Sequence, residues 1–253
     1  YNLDLPWERQ YLQELGRVAT FNLGLPLKLN DFTVNRVIAQ GLPISAALGV
    51  LALAFALVLG LSAGIVSAAG RGSLADLFLM TIATFGIAVP SFIIASLAIL
   101  VFVFLIPWFP AGGWGTLRQL VLPAVCLGAP YAAEIARITR TGMLDTLSQD
   151  YIRTARAKGL GAAAVVLRHA LPGALLPVVS FLGPAVAGIL TGSVVIEKMF
   201  AIPGLGWHLV QAAQQRDYTL EMGLVLLYTV LLFTMNFLVD VSYSILDPRV
   251  ELK

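Results

Sequence analysis

Residues 37–70 contain no Asp, Glu, Lys or Arg, the first of several long uncharged runs in the chain. At ~1.5 Å of rise per helical residue, part of this run already exceeds a hydrocarbon layer of ~30 Å. It predicts a membrane-spanning helix over residues 43–69. Arg71 and Asp76 interrupt the pattern, and a second uncharged run, residues 77–117, is too long for one crossing. Pro107, Pro110 and the Gly112-Gly113 pair break it late, which places the second span at 77–106 with Pro90 kinking it. A third span starts near Leu120, passes Pro123 and Pro130, and keeps its helical period through Glu134, Arg137 and Arg140, so its last turns stand in water. The fourth, residues 175–196, is rich in small residues (Gly183, Ala185, Ala187, Gly188, Gly192, Ser193). Small residues let helices approach closely in lipid and predict a central position. The fifth, residues 222–246, carries Asp240.

Composition explains where these runs live. Of 253 residues 58% are hydrophobic and 12% charged, with mean hydropathy +0.87, against about 25% charged in an ordinary soluble domain. Lipid must be the solvent for most of the surface, and an all-α polytopic bundle of five transmembrane helices is the expected fold. The balance of 16 basic to 14 acidic residues points to no nucleic-acid partner. Cys126 is the only cysteine, and His169 and His208 are far apart, so no internal disulfide and no Cys/His metal cluster are expected. Neither GxxxxGK[ST] nor any Gly-Lys pair occurs, so the chain has no P-loop for ATP and is not expected to be an enzyme.

The position of the charges sets orientation. Arg137, Arg140, Arg153, Arg156, Lys158 and Arg168 outnumber Glu134, Asp145 and Asp150 in one inter-span segment, and the chain ends with Arg249 and Lys253. By the positive-inside rule both regions are cytoplasmic. Five crossings then leave residues 1–40 outside, where Arg9, Arg17, Lys28 and Arg36 are matched by Asp4, Glu8, Glu14 and Asp31. An external start implies an earlier crossing upstream, in keeping with an opening Tyr1 rather than Met. The expected organisation is an external segment, 1–40, and a membrane domain, 41–253, with a soluble insert at 145–172.

That insert reads as two short helices. In the first, residues 148–158, Tyr151, Ile152 and Ala155 share a face, and Arg156 and Lys158 sit at the negative end of the helix dipole. Gly159 and Gly161 turn the chain. A second helix, residues 162–170, presents Val165, Val166 and Ala170 before Pro172 marks a new start. An amphipathic pair facing the cytoplasm suits docking into a partner's groove. Arg153, Arg156 and Lys158 read equally well as topology markers, lipid contacts or partner contacts.

The insert resembles the cytoplasmic loop of ABC importer permeases, written EAA, three spacers, G, nine spacers, I, one spacer, LP. Here the positions are Arg153, Thr154, Ala155, then Gly159, then His169, Leu171 and Pro172. Arg replaces Glu, Thr replaces Ala and His replaces Ile, while RTARAKG followed by LRHALP is similar to the peptide-transporting branch. The likeness covers the chain: DFTVNRVIAQGLPISAALG at 31–49, VPSF at 89–92, ITRTGML at 138–144, GPAVAGILTGSVVIE at 183–197, IPGLG at 202–206, RDY at 216–218 and LVDVSYSILDPR at 238–249. It is strongest to the B-type permeases of oligopeptide importers, in a family with dipeptide, nickel, glutathione and oligosaccharide relatives. The resemblance implies a bacterial inner-membrane subunit that forms half of an oligopeptide path. It implies a second homologous permease, two cytoplasmic ATPases that bind ATP and Mg, and an external peptide-binding protein, periplasmic or lipid-anchored. This chain would carry no cofactor, and Tyr151 to Pro172 would form the ATPase-coupling loop. An additional first span, present in the family, is expected upstream.

Other features carry bland and sharp readings together. Asp240 is costly in lipid, and a structural pairing with Ser242, Asn236 or a helix end competes with a substrate or proton role. Pro90, Pro123 and Pro130 read as packing kinks or as the discontinuous helices of an ion-coupled secondary transporter. A membrane scaffold without transport is the third class. Residues 200–218, with Trp207 and His208, predict a short interfacial helix. Trp7, Tyr11, Leu15 and Val18 fall in helical register, as a helix on the bilayer or a contact for an external protein.

Overall fold

A computed structural model describes residues 6–27 and 32–246, and these form helices joined by short turns, with no strand among them. Helix α1 spans Trp7–Ala19 and leaves Trp7, Tyr11, Leu12 and Leu15 exposed along one side. Helix α2, Val34–Ala69, starts where the Thr33 side chain accepts the Arg36 N–H at 3.2 Å. Its 36 residues reach ~54 Å, longer than the hydrocarbon layer. Helix α3, Leu74–Ala88, is capped by Ser73, whose hydroxyl accepts the Asp76 N–H at 3.2 Å.

The second predicted span is not one kinked helix. Its halves, α3 and α4 (Ser91–Leu105), meet at 106°. Proline disfavours α geometry in the residue before it as well as removing its own N–H. Val89 is accordingly extended (φ −89°, ψ 122°), and Pro90 opens α4 from outside the helix. Pro123 and Pro130 do no such thing, because both lie inside an unbroken α5, Leu117–Leu147.

After α5 come α6, Asp150–Ala157, and α7, Ala162–Ala174, the latter with a π-helical stretch over Val165–Ala170. Pro172 is expected to mark a new start, and it stands in the first turn of the α-helical segment Leu171–Ala174 that resumes after the π stretch, with no break in α7. The π register ends at Leu171, so the missing Pro172 N–H falls where the hydrogen-bond ladder changes pitch. The real bend, 53°, comes at Leu175, before α8, Leu176–Met199. Then follow α9, Leu205–Gln215, where an interfacial helix was predicted, and α10, Tyr218–Leu246. Among the described residues three helices are long and apolar enough to cross a membrane, or up to five if each bent pair counts as one span.

Two glycines four residues apart bind the bundle together. A Cβ added to Gly60 would lie 2.7 Å from the Ala132 carbonyl, and one added to Gly64 would lie 2.7 Å from that of Ala136. Such a G-xxx-G pair lets α2 touch the α5 backbone where no apolar drive separates helix from lipid. Gly128 of α5 returns the contact on the Ala52 carbonyl. At one end of the bundle the Gly70 turn meets α6 and α7, since Ala68 shares a buried cluster with Met143, Ile152 and Ala170. At the other end Gly113 donates to the Phe200 carbonyl at 2.8 Å, and Leu27 donates to Asp217 at 3.0 Å, gathering the remaining loops.

Candidate coupling surface and its buried anchors

The predicted coupling residues divide into two layers. Ile152 and Ala155 turn inward and pack with Met143, Val165, Ala170 and Ala174, with Leu171 half-buried beside them. Tyr151, Arg153, Thr154, Arg156, Lys158 and Gly159 stay on the outside. Gly159 has φ +80°, which a side chain disfavours, and so reverses the chain between α6 and α7. His169 is half-buried and Pro172 exposed. The apolar face expected to dock is therefore already occupied within the chain. What remains for a partner is a polar, basic surface with Tyr151, Leu160 and Leu167 as its exposed apolar points. The Arg153–Asp150 pair, 3.3 Å, is largely exposed and contributes little.

Behind this surface lies an ion pair between Asp76, which in the sequence only separates two uncharged runs, and Arg140. Asp76 is 4% exposed and faces Arg140, with Nε–Oδ1 at 2.7 Å and a second guanidinium nitrogen on Oδ2 at 2.8 Å. The Gly72 N–H donates to Oδ2 at 2.9 Å, and the buried Ser67 hydroxyl donates to Oδ1. A bidentate guanidinium with further donors satisfies most of the carboxylate's capacity, which is what a buried charge requires. The end of α2, the start of α3 and the shaft of α5 are thereby fixed to each other beside the coupling layer.

At the opposite end, Glu197 is fully buried. It accepts from the Ser45 hydroxyl at 2.7 Å and from the Gly206 and Trp207 N–H groups at 2.8 and 3.1 Å. Ser45 in turn accepts the Leu205 N–H at 2.8 Å. The carboxylate caps α9 at its first turn, where free N–H groups and the dipole favour negative charge. The fourth span expected from the uncharged run ends at Ile196, one residue short of Glu197. The legible signal was an acid placed directly after an apolar run and before a Pro-Gly turn. Burial pushes His208 of α9 below its ordinary value, since a less hydrated imidazolium is disfavoured. Asp240 lies on α10, but its side chain falls outside the described residues.

Beside Ser45 and Ser193 an apolar cavity of about 200 Å³ opens between α2, α8 and α10, walled by Leu42, Val50, Ile189 and Met235. Among the described residues no group of His, Cys, Asp or Glu is arranged to hold a metal.

Residues 56–252 match the family described as the inner membrane component of binding-protein-dependent transport systems. The chain belongs to that family. This inner membrane component is 44% identical, over 252 residues, to a dipeptide transport system permease of Bacillus subtilis strain 168, covering 100% of this chain and 82% of the relative. It is 42% identical, over 253 residues, to an oligopeptide transport system permease of Escherichia coli K12, covering 99% and 83%. Its fold is that of a chain in an inward-facing methionine ABC transporter, with TM-score 0.70 at 20% identity over 83% of this chain and 96% of that one. The all-helical membrane bundle and the permease resemblance expected from sequence both hold.

Proposed function

We propose that this chain is one permease subunit of an ATP-driven importer and forms half of a translocation path for short peptides, oligopeptides foremost. The observation that carries the reading is the layered knuckle of α6 and α7, whose apolar side is fastened to α5 and whose polar side is free for a partner. The names of its relatives, for dipeptides and for oligopeptides, support peptide cargo. In this reading Tyr151, Arg153, Thr154, Arg156, Lys158 and Gly159 touch one of two cytoplasmic ATPases, which bind ATP and Mg. Ala155 and Leu171 fix the loop to α5, and His169 and Pro172 complete the outer side of α7. A second permease completes the path, an external binding protein delivers the cargo, and lipid surrounds the rest. The knuckle and the C-terminus face the cytoplasm, residues 1–40 face outward, and residues 41–253 are the membrane domain.

The test is cross-linking from Arg156→Cys in the assembled complex, with a bifunctional thiol reagent. A product with an ATPase, whose yield changes when ATP is added, is expected. Cross-links that reach only lipid or external protein overturn the reading. Competition between dipeptides and longer peptides in proteoliposome uptake then ranks the cargo.

A further inference from the structure

The break between α3 and α4 leaves main-chain groups open at the middle of the bundle. Its depth follows from Gly86, where an added Cβ would meet Ala133 at 2.9 Å and the Ala129 carbonyl at 3.8 Å, both near the midpoint of α5. Pro90 has no N–H to return to the Gly86 carbonyl. The Ile87 and Ala88 carbonyls and the Ser91 and Phe92 N–H groups likewise find no partner among the described residues. Nor does this chain cover the spot, for Ala88 and Pro90 are exposed and Phe92 is 49% exposed.

Hydrocarbon cannot be the neighbour. Irregular backbone survives at membrane depth only inside protein or against water, because lipid offers no hydrogen bonds. We infer that the Gly86–Phe92 break lines the aqueous translocation path, with its bare carbonyls and N–H groups hydrated in the resting state and passed by the cargo in transport. A second observation agrees. Thr81, Thr84 and Ala88 stand at i, i+3 and i+7, exposed along one side of α3 leading to the break, while Phe78, Ile82 and Phe85 occupy the adjoining side. Both threonine hydroxyls bond back to their own helix, Thr81 to Leu77 at 2.7 Å and Thr84 to Met80 at 2.8 Å. A small, weakly polar strip beside an aromatic one divides α3 into a wet side and a lipid side.

The inference rests on the permease reading, and the experiment separates the two. Ala88→Cys and Ser91→Cys are each placed in the complete importer, reconstituted with its ATPases and binding protein. ATP-driven uptake by the unsubstituted importer tests the permease reading by itself. The complex is then exposed to a permanently charged methanethiosulfonate, which reacts only where water reaches. With the partner subunits made free of cysteine, wild type is the blank, since the one cysteine of this chain, Cys126, is 0% exposed. Both variants are expected to label, and to lose uptake on labelling, while wild type keeps it. Reaction only with an uncharged, membrane-soluble maleimide would place the break in lipid and overturn the inference. Silence toward both reagents would mean that the second permease covers it, which overturns it equally.

Discussion

Single residues carry the two ends of the bundle. Glu197 is held by three donors, and Gly204 is small because a Cβ there would come within 2.5 Å of the Ser45 hydroxyl. Glu197→Ala strands the Gly206 and Trp207 N–H groups and the Ser45 hydroxyl in a dry site, at a cost of about 3 kcal/mol. Thermal unfolding in detergent should show a clear drop for Glu197→Ala and a smaller one for Glu197→Gln, which keeps one carbonyl oxygen for Ser45. The sequence announced the acid but not its partners, since Ser45 lies 152 positions away and only folding brings the two together. The knuckle residues were more legible. The face drawn through Tyr151, Ile152 and Ala155 and through Val165, Val166 and Ala170 turns inward except at Tyr151, which is 50% exposed, and whether such a face meets a partner or its own chain is a tertiary fact that no local pattern holds.

Helices were legible by length and charge, and their joints less so. The long uncharged runs became helices, the second of them as two helices broken at Pro90 and ending at Leu105, because in lipid a main-chain group must find its partner within its own segment unless protein or water supplies one. Three prolines met different fates for a packing reason. Pro123 is buried and Pro130 half-buried within α5, whereas Pro90 is exposed and ends its helix. The spacing of Gly60 and Gly64 is legible in the sequence, whereas the α5 carbonyls that it admits are set only by folding. Gly64→Leu should push α2 off α5 at an overpacking cost of about 1–3 kcal/mol, read as earlier melting and a reduced yield of assembled complex, whereas substitution at Gly16, with nothing near its added Cβ, should leave both unchanged.

Across the molecule, the Asp76–Arg140 pair joins the α2–α3 turn to the α5 shaft that carries the knuckle. Removing one partner of such a pair leaves the other charge unanswered, so Asp76→Ala should lower the denaturation midpoint. Asp76→Ala combined with Arg140→Leu should cost less than Asp76→Ala alone, because no stranded charge remains. A double-mutant cycle on denaturation midpoints measures the difference, and a simple sum of the two single effects would count against the pairing. One consequence of the glycine seam between α2 and α5 concerns how motion in this protein is best watched. With backbones in contact at Gly60, Gly64 and Gly128, the two helices have no slack to slide and must travel as a single rod. Spectroscopic rulers strung between them will read a constant length through the whole transport cycle, and the informative pairs will run from that rod to α8 or α10.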